Sequence, residues 1–241
     1  MRGIKDFLIE NGILEYYRGN DSYVIIPPTV SKIGVLAFED CVSIVEITIP
    51  DTVTHIGEYA FEGCKLLTSL NIPESVIYIG EGAFWGCDSL KRVSLPNSVT
   101  SVQAFTFFGC TSMKKVIISN FTKNIKASAF SHCSSLKHMK IPLSVESIED
   151  WAFENCFSLE SVTFVGSVPK LSETVFQGCK NLVYFNSASF IKSKTPNVSL
   201  ENYKYDGLNK LAIKKTMELC TILKNIFLIL KSNIGKFIQK N

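Results

Sequence analysis

Apolar positions along this chain recur with a single period, and it is neither the 2 of a strand nor the 3.6 of a helix. A phenylalanine stands at Phe38, Phe61, Phe84, Phe107, Phe130, Phe153 and Phe176, always 23 residues after the last. Three residues further on stands a cysteine: Cys41, Cys64, Cys87, Cys110, Cys133, Cys156 and Cys179. Three residues beyond that comes Ile44, Leu67, Leu90, Met113, Leu136, Leu159 or Leu182. No insertion or deletion breaks the register. The unit reads L-x-x-V-x-I-P-x-S-V-x-x-I-G-x-x-A-F-x-G-C. Its V-x-I piece alternates, as a short strand with one buried face does. Pro27, Pro50, Pro73, Pro96 and Pro142 end that piece, because proline cannot donate to a ladder. Before each cysteine stands Asp40, Gly63, Gly86, Gly109, His132, Asn155 or Gly178. These are residue types that tolerate positive φ, so a left-handed turn is predicted there in every coil.

A unit of this length cannot bury its own apolar face, but identical neighbours bury each other's. The expected fold is therefore a solenoid of seven stacked coils, with equivalent strands parallel and about 4.8 Å apart. Equivalent side chains then form columns of Phe, Cys and Leu.

The unit closely resembles the BspA-like leucine-rich repeat, and Phe7–Pro27 is similar to the lead-in segment of that family. The resemblance runs over roughly residues 7–186. It implies an α/β repeat solenoid: a right-handed superhelix with a parallel sheet on its concave side, and short strands and helical turns on its convex side. It also implies a binding or adhesion role, often at a cell surface.

Four segments follow. Residues 1–23 are expected to form an N-terminal capping hairpin, since two apolar runs flank Asn11-Gly12, a strong short hairpin signal. Residues 24–186 make the solenoid. Residues 187–206 are polar and read as a linker. Residues 207–241 are rich in helix formers, and read either as a cap on the last coil or as a basic amphipathic helix that touches a membrane or a partner.

Composition adds location and charge. No continuous apolar leader opens the chain, and the apolar stretch 216–230 is broken by Glu218 and Lys224, which suggests a cytoplasmic protein. The family resemblance points instead to the cell surface. The formal charge is +3 for the whole chain. Eight lysines against two acids from Lys204 onward give +6, so residues 1–203 carry −3. The body is mildly acidic and the tail basic.

The cysteines raise the question of metal. Zinc needs four converging ligands, and a linear column does not converge. Each cysteine of the repeat is read as a small buried hydrophobe, and Cys220 has no assigned role. His132 sits at the left-handed turn position, which explains it without chemistry. Neither His55 nor His138 has a nucleophile and acid partner at a recognisable spacing. There is no phosphate loop and no H-E-x-x-H. We read no enzyme, no cofactor, no metal and no small-molecule substrate.

What remains is surface. The outward columns of the V-x-I strands gather Lys91, Arg92, Lys114, Lys115, Lys137, His138 and Lys140 in three adjacent coils. Two like charges about 5 Å apart repel by about 0.8 kcal/mol even in bulk water, with no folding benefit. One of these coils departs from the repeat, with Ser119 for Pro and Thr122 for Val. Ile117 and Phe121 are candidate apolar anchors beside the charges. The reading is a protein-interaction module that offers a basic face to an acidic surface of a protein partner. Nucleic acid or an anionic membrane, engaged by the lysines and the tail together, is the alternative. A second candidate patch, on the opposite side, comprises Tyr59, Trp85, Phe105 and Phe108.

Overall fold

In the computed structural model the described residues are 4–187. The expected linker and basic tail, with Cys220, lie outside them, apart from Ser187, which ends the last strand. We number the coils by their cysteines, coil one holding Cys41 and coil seven Cys179.

Each coil contributes two strands. The longer are Tyr23–Ile25, Glu46–Thr48, Ser69–Asn71, Arg92–Ser94, Lys115–Ile117, His138–Ile141 and Ser161–Phe164, followed by Tyr184–Ser187. The shorter are Lys32–Ile33, His55–Ile56, Tyr78–Ile79, Ser101–Val102, Asn124–Ile125, Ser147–Ile148 and Lys170–Leu171. Coil-to-coil pairing is parallel and in register, as in Lys115↔Arg92 and Asn124↔Ser147. Phe7–Glu10 and Ile13–Tyr17 form an antiparallel hairpin over Asn11 and Gly12, both at positive φ. Its second strand joins the short-strand ladder through Leu14↔Ile33.

The interior is a set of columns. The seven phenylalanines of the repeat are fully buried and stack at ring-centroid separations of 4.9 to 5.6 Å, within 15° of parallel. Tyr17 and Phe7 extend the column into the hairpin, at 5.3 and 5.0 Å. Beside it runs the thiol column. Cys64, Cys87, Cys110, Cys133 and Cys156 are wholly buried. Each donates its S–H to the phenylalanine carbonyl of the preceding coil, for example Cys110 Sγ to Phe84 O at 3.2 Å. That weak donor is what valine or alanine would lack.

The segment around each phenylalanine corrects an expectation. The resemblance implied α/β architecture with helical turns there. Among the described residues the structure shows a parallel-strand β-solenoid whose one helical element is the 3-10 turn Ile4–Asp6. Two features exclude helix. The predicted left-handed residue before cysteine occurs in all seven coils, with φ from 49 to 74°. A second left-handed column, which sequence reading missed, runs through Leu36, Tyr59, Gly82, Phe105, Ser128 and Trp151. A right-handed helix cannot pass through either. Alternate amides also leave the coil. Phe84 N donates to Thr106 O and Gly86 N to Phe108 O in the next coil, whereas Trp85 N and Cys87 N turn back within their own. The segment is thus a stack of turns.

The ladders are not continuous. Long strands pair within coils one to three, within coils four and five, and from coil six onward. Short strands pair from the hairpin to coil three, and again from coil four to coil seven. Both ladders are interrupted between coils three and four, where the stacked turns, with Ser89 N to Lys65 O and Lys91 N to Thr68 O, carry the backbone hydrogen bonding.

Candidate functional site

The long-strand face places the basic residues together. Lys91, Arg92, Lys114, Lys115, Lys137, His138 and Lys140 are all exposed. Because the strands are in register, Lys115 lies directly beside Arg92, and Lys114 N donates to Lys91 O. The grouping is not uniform. Lys137 pairs with Glu160 of coil seven at 3.4 Å, and His138 Nδ1 lies 2.9 Å from Ser161 Oγ. The dense positive charge therefore belongs to coils four and five. Those two coils are also the pair bounded on each side by an interruption of the long ladder.

Coil five shows why it departs from the repeat. In coils two to four a hydroxyl at one turn position bonds the preceding coil's valine carbonyl, as Ser75 Oγ does to Val53 O at 2.8 Å. At that position coil five has Phe121. Its neighbour Thr122 makes the bond instead, from Oγ1 to Val99 O at 3.0 Å, and is fully buried. Ser119, in place of proline, accepts from Phe121 N at 3.1 Å. The shift leaves Phe121 61% exposed, and Ile117, on the outward side of its strand, is 48% exposed. Two large apolar side chains thus stand in water on the coil that carries Lys114 and Lys115.

On the stacked turns, Tyr59, Trp85, Phe105 and Phe108 form one half-buried cluster. The Trp85 ring lies 6.3 Å from Tyr59, 5.2 Å from Phe105 and 4.4 Å from Phe108. Phe108 continues to His132 at 5.0 Å. Tyr59 is held by Glu81 through a 3.1 Å hydrogen bond, and burial followed by that bond raises its pKa. Burial, and then repulsion from Glu39 and Asp40, push the Glu62 carboxyl above its usual range.

Catalytic geometry is poor. Ser131 Oγ lies 2.9 Å from His132 Nδ1 and 3.2 Å from Glu154 Oε2, so serine, histidine and carboxylate do meet. The carboxylate contacts the hydroxyl, however, and not the imidazole that a general base needs oriented. Ser131 is also fully buried. The thiols are held neutral: burial raises Cys87, Cys110 and Cys156 well above the ordinary value, and the less buried Cys41 is pushed up to about 11. Such thiols are poor nucleophiles and poor ligands. Among the described residues no group of three or more His, Cys, Asp or Glu could hold a metal ion, and no helix is long and apolar enough to cross a membrane.

The model of the BspA type leucine-rich repeat region matches the chain in 6 copies, over residues 15–118 and 59–183. The solved leucine-rich repeat protein of T. pallidum is 28% identical and has a TM-score of 0.53, over 76% of this chain and 80% of that one. A leucine-rich repeat protein from Bacteroides ovatus is 23% identical, with a TM-score of 0.48, over 77% and 63%. A leucine-rich cell surface protein from Faecalibacterium prausnitzii is 24% identical, with a TM-score of 0.49, over 76% and 74%. No curated protein matches the chain.

Proposed function

The chain belongs to the BspA-type leucine-rich repeat family, and from that premise we propose that it is a non-enzymatic protein-interaction module. The family is typical of interaction and surface roles. Coils four and five supply the binding face, and the partner is a protein with an acidic surface. One observation carries this reading: coil five moves a hydroxyl inward and exposes Phe121 on the coil that also carries the outward-facing Ile117 with Lys114 and Lys115. Folding gains nothing from that exposure. A rigid interface gains apolar anchors ringed by charge. Because the stacked coils are ordered before contact, little entropy is lost on binding.

The test uses the full chain with Lys91, Lys114 and Lys115 changed to Glu. Lys137 is left alone because it already pairs with Glu160. A second variant is Phe121→Ser, which restores the hydroxyl of neighbouring coils. Partners captured from lysate are remade pure and titrated. The expected result is a saturable complex with an acidic protein, lost in the triple variant and weakened about tenfold, or about 1.4 kcal/mol, by Phe121→Ser. Binding that instead follows any oligonucleotide or phosphatidylserine vesicle, falls steeply with salt and ignores Phe121→Ser would replace this reading with the nucleic-acid or membrane one.

A further inference from the structure

On the stacked turns, the left-handed column before the cysteines changes character along the molecule. Coils one, five and six carry side chains there, Asp40, His132 and Asn155, whereas coils two to four carry Gly63, Gly86 and Gly109. The Asp40 side chain folds over Gly63, where a Cβ would collide with it. Above Gly86 and Gly109 the space is open: a Cβ at either would come no closer than 3.8 Å to another atom. Both backbones are therefore bare, and they floor a depression of about 470 Å³. Its lining runs from Asp40 and Glu62 in coils one and two, through Trp85, Asp88, Phe108 and Thr111, to His132 in coil five.

Three properties select an occupant. The two bare glycines stand one coil spacing apart, and the lining as a whole runs from Asp40 in coil one to His132 in coil five, four spacings or roughly 19 Å, which is the length of about six extended residues. Trp85 is fixed in place by three aromatic neighbours and offers a preformed platform. Asp40, Glu62 and Asp88 outnumber Lys65, the single lysine of the lining. Crowding of Glu62 by Glu39 and Asp40 is a repulsion that an incoming cation relieves. Neutral sugars do not need three carboxylates, and nucleic acid is repelled by them.

We propose that this glycine-floored trough binds a basic, extended peptide segment, with an arginine side chain stacked on Trp85 and paired with Asp88 or Glu62. The site is separate from the basic face of coils four and five and takes a ligand of opposite charge.

The chain holds two tryptophans, so Trp151→Phe leaves Trp85 as the sole reporter. In that background an acetylated, amidated Arg-Ala-Arg-Ala-Arg peptide is titrated while Trp85 emission is followed. The expected result is a saturable change that the matching Glu-Ala peptide and cellopentaose do not produce. Asp88→Asn and Glu62→Gln should each weaken binding roughly fivefold. Gly86→Asn should abolish it by filling the floor, and asparagine already occupies the same backbone position at Asn155 (φ 53°). No saturable response, an unchanged response in Gly86→Asn and Asp88→Asn, or a response to cellopentaose in place of the arginine peptide would each overturn the proposal.

Discussion

The interior columns and the long-strand face run through the same coils and obey opposite rules. Inside, the phenylalanine and the cysteine repeat without exception, because each side chain packs on its own equivalent in the next coil. Outside, the equivalent positions run from Glu46 through Arg92 and Lys115 to Ser161, since nothing there must fit a copy of itself. Identity along a column therefore reports packing. A departure is informative where it exposes something that packing alone would hide, as Phe121 does in coil five.

The largest effect that can break this contrast is alkaline. Burial holds Cys64, Cys87, Cys110, Cys133 and Cys156 protonated well above the ordinary thiol value. Below pH of about 8.5 both folded and unfolded chains keep these protons, and stability does not depend on them. Above it the unfolded chain releases protons and the folded chain does not, so stability falls as pH rises. The slope is about 1.4 kcal/mol per thiol per pH unit, five thiols acting together. Urea midpoints between pH 7.5 and 10, under reductant, should drop steeply, and the joint change of Cys87, Cys110 and Cys133 to Ala should flatten the slope. A level profile in the wild type would mean that the thiol column is wet.

Next comes the phenylalanine column. Phe107→Ala opens a cavity between Phe84 and Phe130 and should cost about 3–5 kcal/mol, measured by urea unfolding followed by circular dichroism. A loss under about 1 kcal/mol, the size of an ordinary surface change, would remove the distinction between inside and outside.

The smallest effect sharpens the boundary between the two regions. Trp151 is 43% exposed, so side-chain burial alone makes it replaceable. Its φ is 56°, a region that β-branched residues resist. Trp151→Val should destabilise by about 1–2 kcal/mol, whereas Trp151→Gly should cost less. Equal thermal midpoints for the two variants would show that the second left-handed column imposes no constraint.

Much of the architecture was legible in the letters. The period, the parallel register and the buried Phe, Cys and Leu columns follow from a motif repeated seven times without slippage. The left-handed turn before each cysteine was legible as well, because Gly, Asn, Asp and His share one tolerance. The exposure of Ile117 and Phe121 could be anticipated from the departure of coil five from the repeat. The second left-handed column was not legible. Leu36, Tyr59, Phe105 and Trp151 have no such tolerance in common, and they are held there by hydrogen bonds between coils, as Phe105 N is by Ala127 O.

What composition and spacing establish is whatever one coil demands of its identical neighbour, since that demand is written again every 23 residues. Tertiary structure decided everything that joins unlike residues of different coils. It made the turns a stack instead of helices, by sending alternate amides outward. Its long-strand ladder stops on either side of coils four and five. It matched Lys137 with Glu160 and left the densest charge on those two coils. It also uncovered the backbone of Gly86 and Gly109 beside Trp85. The physical reason is common to all four. Each depends on which backbone groups or side chains of different coils meet across a gap of about 4.8 Å, and the spacing of residue types does not state that.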